Sequence, residues 1–132
     1  MTREIRKELI EAKKLYKSKK YEEALAIYEK HFQSSPEVLN NWDKIFYSWS
    51  LYQLYIKDAQ DEDKLFESAE LVTELVKQDD LNKKPVCAYT LSVFKVLDYL
   101  YAQNDYFNLI NWLEKINPEL LDEKRFESNE RV

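Results

Sequence analysis

The stretch YEEALAIYEKHFQSSPE, residues 21 to 37, carries the pattern that decides the fold. Tyr21, Leu25 and Tyr28 recur at the i, i+4, i+7 spacing of one helical face, so the stretch predicts an amphipathic helix to about Gln33. Ala24 lies on the same apolar face, where a leucine would bury more area. The pattern therefore predicts a packed helix and raises the question of why one buried position is small.

Apolar periodicity along the rest of the chain predicts further helices and no strand. The spacing predicts six helices, at about 5–16, 21–33, 39–56, 65–76, 86–102 and 107–116. Ser35-Pro36-Glu37 and Asn117-Pro118-Glu119 are typical of helix starts, with a polar cap, a proline and an acid, and the second predicts a short helix around Leu120 and Leu121. The fold class is therefore all-α, with roughly six to seven helices in short antiparallel pairs and a charged tail at 122–132.

Glycine is absent from the 132 residues, and this excludes several classes of functional motif. Phosphate-binding loops and nucleophile elbows need backbone at positive φ or in close approach to a ligand, which glycine provides most readily. The single histidine, His31, leaves no multi-histidine metal site, and we interpret it as a packing residue. Cys87, the single cysteine, lies in the apolar context PVCAYTL and is interpreted as a core residue. We therefore predict no enzyme activity, no metal and no cofactor.

Cellular location is predicted from what the sequence lacks. A lone cysteine cannot form an intrachain disulfide, and the N-terminal MTREIRKELIEAKK lacks the apolar segment of a secretory signal. No apolar run approaches the roughly 20 residues that a membrane span needs. These features predict a cytoplasmic protein without a membrane segment.

Residues 5–38 resemble one 34-residue unit of the tetratricopeptide repeat family. Ala12 and Leu15 match the small and large positions of the first helix, and the family's proline at the end of the unit matches Pro36. Tyr21, Ala24 and Tyr28 match the turn aromatic, the small residue and the aromatic of the second helix. The resemblance explains Ala24, because the two helices of such a unit cross closely and large side chains of one must seat against the other.

Later parts of the chain resemble the same family less closely. Trp42, Ile45 and Trp49 match a second unit at about 39–84, with an insertion of roughly eleven residues before Phe66 and Ala69. NDY at 104–106 matches the family's turn in a third unit at about 86–118, with Asn104 where positive φ is wanted. Departures include Glu8 and Glu11 at usually apolar positions, and His31 in place of an alanine. The resemblance implies a single domain over 1–132, an α-solenoid of about three units in a right-handed superhelix.

The family resemblance also implies a concave groove lined by the first helix of each unit. Carried over, the lining residues are Arg6, Leu9, Lys13, Tyr16 and Lys17; Asn40, Asp43, Tyr47, Ser50 and Leu51; and Leu91, Phe94, Asp98, Tyr101 and Ala102. Tyr16, Tyr47 and Tyr101 are expected to be partly exposed on one face, and Trp49, Tyr28 and Leu100 to be buried. Rigid aromatic side chains with a polar tip suit peptide contact. The predicted function is a non-catalytic scaffold or adaptor that binds a peptide or helix of a partner protein, with self-association open.

Two alternatives use other features of the chain. Residues 1–33 carry nine Lys/Arg and six Asp/Glu, whereas the remaining 99 residues carry eleven and nineteen. The basic first helix allows a nucleic-acid-associated domain, although the acidic remainder argues against it. The chain could also be a regulatory domain of a larger enzyme, or the N-terminal part of a longer protein. The acidic run Asp58, Asp61, Glu62 and Asp63 is interpreted as a helix cap rather than a calcium loop, because it lacks the required glycine and distal glutamate.

Overall fold

The computed structural model describes residues 3–58, 61–76 and 83–116, with side chains described at 3–58, 61–75 and 93–116. All regular structure in these residues is helical, so the all-α prediction is confirmed. The helices are α1 (Arg3–Lys17), α2 (Tyr21–Ser34), α3 (Asn41–Lys57), α4 (Glu62–Val76), α5 (Lys83–Ala102) and α6 (Tyr106–Lys115), with a single 3-10 turn at Pro36–Val38. None of the helices in the described ranges is both long and apolar enough to cross a membrane.

Two compact units, residues 1–71 and 72–132, divide the chain at a point inside α4. The single domain and the three repeat units drawn from the sequence stay predictions. Other predictions concern residues outside the described ranges. These are the cap at 117–119, the helix near Leu120 and Leu121, and the tail at 122–132. The side chains of Leu91 and Cys87 are likewise outside the described set.

The first unit is held together by a core between α1, α2 and α3. Ala12 and Ala24 are both fully buried in this core, beside Leu9, Tyr28 and Leu51. Small side chains at these two positions let the backbones of α1 and α2 approach while large residues interdigitate around them. The prediction that Ala24 is a buried small position is confirmed.

A second close approach joins α3 to the first part of α4 through two serines. The hydroxyls of Ser48 and Ser68 lie 2.8 Å apart, and each also donates to the other residue's backbone carbonyl, at 3.1 and 2.9 Å. Both side chains are fully buried, and Ala69 beside them is also fully buried. Side chains this short reach the opposite backbone only when two helices cross closely, so the serines take the small positions at this crossing.

The start of α3 differs from the prediction that Ser35 caps a helix beginning near Leu39. Ser35 instead precedes the 3-10 turn and makes no side-chain cap hydrogen bond. The cap of α3 is Asn40, whose side chain accepts from the backbone N–H of Asp43 at 2.8 Å, while Asp43 accepts from the backbone N–H of Asn40 at 2.9 Å. This reciprocal capping box satisfies two backbone donors at once, which a lone serine cannot do.

Two helix ends share one left-handed termination. Lys19 after α1 has φ of 64°, and Asn104 after α5 has φ of 58°. In both places the next residue donates its N–H to a carbonyl five residues back, from Lys20 to Leu15 and from Asp105 to Leu100, each at 2.9 to 3.0 Å. This is the Schellman motif, which satisfies carbonyls left open at a helix end. Positive φ at Asn104 confirms that prediction, whereas Lys19 was not predicted.

The second unit is built around α5 and α6, which contact each other. Val93, Val96 and Leu100 are buried on α5, and Trp112 is buried on α6. The backbone of α5 begins at Lys83 rather than near residue 86 as predicted. Pro85 thus falls in the first turn, where a missing N–H costs no helical hydrogen bond.

Candidate functional site

An ion pair brings α1 and α3 together at a pair of residues assigned to the groove by the family resemblance. The guanidinium of Arg6 donates two hydrogen bonds to the carboxylate of Asp43, at 2.9 and 2.7 Å. Asp43 is buried and also closes the capping box of α3. The hydrogen bond with Asp43 raises the pKa of Arg6 above its ordinary value. Arg6 and Asp43 therefore fix α1 against the N-terminus of α3, and this buried carboxylate is fully occupied inside the molecule.

Further along the same two helices, Tyr16 joins an aromatic cluster. Its ring lies 5.2 Å from Phe46 in an edge arrangement and 6.2 Å from Trp49 in a stacked one, measured between centroids. Tyr21, the first residue of α2, lies 5.2 Å from the same ring. Burial raises the pKa of the Tyr16 hydroxyl, and a hydrogen bond with Gln53 of α3 partly offsets this. Since Tyr16 is only half-buried, the cluster is a rigid aromatic body with part of its surface open.

Lysines and one exposed tryptophan border this cluster. The ammonium of Lys13 lies 5.2 Å from the centre of the Phe46 ring, a cation–π arrangement. Lys17, one helical turn further, is exposed. Trp42 lies 6.3 Å from Phe46 and keeps 44% of its surface exposed. We define the α1/α3 surface by six residues: Lys13, Tyr16 and Lys17 of α1, and Trp42, Trp49 and the buried Phe46 of α3.

The groove assignment on α3 is wrong in part. Tyr47 was expected to be partly exposed, but it is 5% exposed and its ring stacks 5.9 Å from Tyr28 and meets Phe32 of α2 at 5.3 Å. Burial raises its hydroxyl pKa. Core positions are also occupied by other assigned lining residues: Leu9, Ser50 and Leu51. Ser50 donates its hydroxyl to the carbonyl of Phe46 at 2.8 Å.

Four other expectations about burial are confirmed and one is not. Tyr16 is half-buried and Tyr101 is exposed, while Tyr28 and Leu100 are buried. Trp49 was expected to be buried and is half-buried instead. Asn40, an assigned lining residue, serves as the cap of α3. Trp42, Phe46 and Trp49 were not assigned to the groove, yet their i, i+4, i+7 spacing could have identified one aromatic stripe along α3.

Glu8 and His31, which both depart from the family pattern, contact each other. The Nε2 atom of His31, a residue 5% exposed on α2, lies 2.6 Å from a carboxylate oxygen of Glu8 on α1. Lys30 donates to the other carboxylate oxygen of Glu8 at 3.1 Å. These hydrogen bonds, first that of Lys30 and then that of His31, lower the pKa of Glu8. His31 was predicted to be a packing residue without a partner, and Glu8 supplies the partner that the sequence did not show.

Two clefts of the first unit are lined by charged side chains. One of about 730 Å³ lies beside the Glu8–His31 pair, and Ser34 within it donates its hydroxyl to the backbone carbonyl of Lys30 at 2.9 Å. The other, of about 560 Å³, is bordered by four acids and two lysines: Glu22, Glu29, Asp58, Asp61, Lys57 and Lys64. Asp61 immediately precedes α4 and pairs with Lys64. Within the described ranges, no group of three or more His, Cys, Asp or Glu side chains could hold a metal ion.

The second unit carries the remaining assigned residues. Phe94 is half-buried, whereas Asp98, Tyr101 and Ala102 are exposed. Tyr101 meets Tyr106 at 6.4 Å in an edge arrangement. Exposed apolar side chains continue along α6, at Tyr106, Phe107, Ile110 and Leu113. The sequence predicted Leu109, Ile110, Trp112 and Leu113 as the apolar residues of this helix, and Trp112 is the one that is fully packed in its core.

Comparison of the chain with known protein families, with curated proteins and with solved structures gives no match in any of the three. The residues that the structure describes define an all-α protein in which aromatic and basic side chains of α1 and α3 are exposed or half-buried beside one another.

Proposed function

We propose that this chain is a non-catalytic protein-interaction module, a scaffold or adaptor that holds a peptide or helix of a partner protein against the α1/α3 surface. The observation that carries this proposal is the rigid aromatic cluster at that surface. Tyr16 and Trp49 are half-buried, and Trp42, which contacts Phe46 of the same cluster, is 44% exposed. Aromatic side chains fixed by their neighbours give contact area at a small entropic cost, and they dominate binding energy in many interfaces.

We further propose that the helices form an α-solenoid of degenerate tetratricopeptide-like units. Support comes from local structural motifs that recur along the chain rather than from any relative. Lys19-Lys20-Tyr21 and Asn104-Asp105-Tyr106 occupy matching places in the first and third predicted units, and both close a helix by the same left-handed motif. Small residues lie at the crossing of α1 with α2 and at that of α3 with α4. Helical repeats of this kind present extended binding surfaces, which fits the proposed function.

The experiment that tests the function compares surface variants in partner capture. Trp42→Ala should leave the fold intact, because Trp42 is exposed, and should weaken capture of partners from the native cell by about 1–2 kcal/mol, roughly 5- to 30-fold. Phe107→Ala is the matched control, since it removes an exposed aromatic ring from α6. Partners identified by mass spectrometry should be lost with Trp42→Ala and kept with Phe107→Ala. Capture that is equal in wild type and Trp42→Ala contradicts the proposal.

The nucleic-acid alternative rests on the basic residues of α1. Phosphate contacts give a steep loss of affinity with salt, so a gel-shift assay over a salt series separates it from peptide binding. The charge balance disfavours it, because the 99 residues after Gln33 carry eleven cationic and nineteen acidic side chains. A cytoplasmic location is part of the proposal, since the single cysteine suits a reducing compartment.

A further inference from the structure

The glutamates of α1 lie on one side of the helix. Glu4, Glu8 and Glu11 follow the i, i+4, i+7 spacing of one side and border the cleft that α1 forms with α2. There Lys30 and His31 of α2 bind Glu8. The acids of α1 thus border the cleft with α2, where Glu8 binds Lys30 and His31 and where Lys7 of α1 also lies.

The side of α1 that meets α3 is cationic. Lys13 and Lys17 are one turn apart, and both are exposed. In the described part of the chain neither ammonium group forms an ion pair with a carboxylate. Asp43, the acid that α3 places against α1, is buried and bound by both terminal nitrogens of the Arg6 guanidinium. The α1/α3 surface therefore combines two uncompensated positive charges with an aromatic body.

We infer that the segment bound at the α1/α3 surface is an acidic peptide, one that carries two carboxylates about 6 Å apart and an apolar side chain next to them. The inference rests on the proposed function and names the chemistry of its partner. Lys13 and Lys17 are separated by about 6 Å along the helix axis. Alternate side chains of an extended peptide are about 6.6 Å apart, so two carboxylates at i and i+2 match the two ammonium groups. The adjacent apolar side chain then contacts Trp42 and Trp49.

A peptide fits this surface better than a nucleic acid does. The Phe46 ring is covered by Tyr16, Trp49 and the Lys13 ammonium, so its faces are not open for a base. Tyr16 and Trp49 stack on each other. Binding of single strands relies on several free aromatic faces along a cationic groove, and Trp42 with two lysines provides much less.

Selection from a random-peptide display library against the full chain tests the inference. Enriched peptides should contain Asp or Glu beside an apolar residue. A synthetic copy of the selected peptide should bind Lys13→Gln/Lys17→Gln about 3- to 10-fold more weakly than wild type, with the difference shrinking at high salt. Lys7→Gln/Lys14→Gln is the matched control, because it removes two exposed charges of the same helix that lie outside the α1/α3 surface, Lys7 at the cleft with α2, and should leave affinity unchanged. Circular dichroism confirms that each variant is folded.

Three outcomes would overturn the inference, and they are separable. Enriched peptides without an acidic excess, whose binding is lost in Trp42→Ala, keep the interaction module and remove its acidic partner. Acidic peptides that bind Lys13→Gln/Lys17→Gln as tightly as wild type place the acidic site elsewhere. If a random oligonucleotide pool binds more tightly than the selected peptides do, and if this binding is lost in Lys13→Gln/Lys17→Gln, the surface binds nucleic acid. Failure of the proposed function itself is distinct, because then no enriched peptide depends on Trp42.

Discussion

Lys19 shows how a chain without glycine closes a tight turn. A left-handed residue ends α1, and the N–H groups of Lys19 and Lys20 bind the carbonyls of Tyr16 and Leu15. Glycine is the usual residue at this place, because a Cβ atom crowds the following carbonyl there. At the corresponding turn after α5 the residue is Asn104, which tolerates left-handed backbone better than lysine does. Lys19 is therefore the more strained of the two.

Replacing Lys19 by glycine should stabilise the protein. The left-handed conformation costs a non-glycine residue roughly 1–2 kcal/mol, and glycine removes this cost. The greater freedom of glycine in the unfolded chain opposes folding and offsets about 0.4–1 kcal/mol of the stabilisation. We expect the free energy of unfolding in urea to rise by about 0.5–1 kcal/mol. Lys20→Gly is the control, since Lys20 has φ of −92° and should lose stability instead. Equal losses in both variants would show that the turn does not need a left-handed residue.

Tyr28 carries a polar group without a visible role. Its ring is fully buried, and among the described residues its hydroxyl has no hydrogen-bond partner. Burial raises the pKa of this hydroxyl far above its ordinary value, with the carboxylate of Asp43 adding to the effect. A buried polar group without a partner costs about 1–3 kcal/mol.

Tyr28→Phe should therefore raise the free energy of unfolding by about 1 kcal/mol, since the ring packing is kept and the buried hydroxyl is removed. Urea unfolding measures the change. Tyr47→Phe is the comparison, because Tyr47 is the stacked neighbour and its hydroxyl is not among the buried unpartnered groups. A loss of 1 kcal/mol in Tyr28→Phe would mean that an ordered water binds the hydroxyl.

The helix pair α1 and α2 is joined by a polar contact as well as by its core. Glu8 accepts a hydrogen bond from Lys30 at 3.1 Å, and its other carboxylate oxygen lies 2.6 Å from Nε2 of His31. These contacts lower the pKa of Glu8 from its ordinary 4.5. A group with a lowered pKa in the folded state stabilises the fold fully above its unfolded pKa, and this stabilisation is lost as the pH falls through the folded value.

Glu8→Gln should therefore remove part of the acid sensitivity of the protein. Wild type should be more stable than Glu8→Gln at pH 7, and the difference should shrink as the pH falls below about 4.5. Glu11→Gln is the control, because it removes the same charge from the same cleft and leaves the bonds of Glu8 in place. Thermal melts from pH 3 to pH 7 measure the effect. A constant difference between wild type and Glu8→Gln over that range would contradict it.

How far the sequence predicts this structure differs from element to element. In α2 one apolar stripe around Ala24 predicts the helix and its buried face. In α3 apolar and aromatic residues occur on nearly every side, so periodicity predicts the helix but not which side faces α2. That is why Tyr47 was assigned to a groove although it is buried, while the exposed Trp42 was not assigned. Register in such a helix depends on the neighbours, which local pattern does not contain.

Long-range polar pairs lie beyond single-sequence reasoning for the same reason. Arg6 with Asp43 and Glu8 with His31 are 37 and 23 residues apart. Each residue alone reads as a solvated charge or an isolated histidine. Their pairing follows from the register between helices, and that register follows from small residues such as Ala12 and Ala24 at the crossing. The fold class was thus predictable, whereas the composition of the surface was not.

The molecule as a whole divides into two compact units, yet the dividing point lies within α4. Leu65 and Ala69 are buried on the part of α4 that belongs to the first unit, and Val72 and Leu75 on the part that belongs to the second. The helix α4 is thus continuous across the boundary and has buried residues on both sides of it. Isolated helices of this length are marginal in water, so each half of α4 needs packing to stay folded.

We therefore expect the two units to unfold in one cooperative transition. Tryptophans report on them separately, because Trp42 and Trp49 lie in the first unit and Trp112 in the second. Trp42→Phe/Trp49→Phe leaves only the probe of the second unit, and Trp112→Phe leaves only those of the first. In each variant the urea midpoint from tryptophan fluorescence should equal the midpoint from circular dichroism at 222 nm, which follows all helices. Two independently folding units would give a different result. The fluorescence midpoint would then lie above the circular dichroism midpoint in one variant and below it in the other. Coincidence in both would mean that α4 transmits the loss of one core to the other, as nearest-neighbour coupling does in short helical repeats.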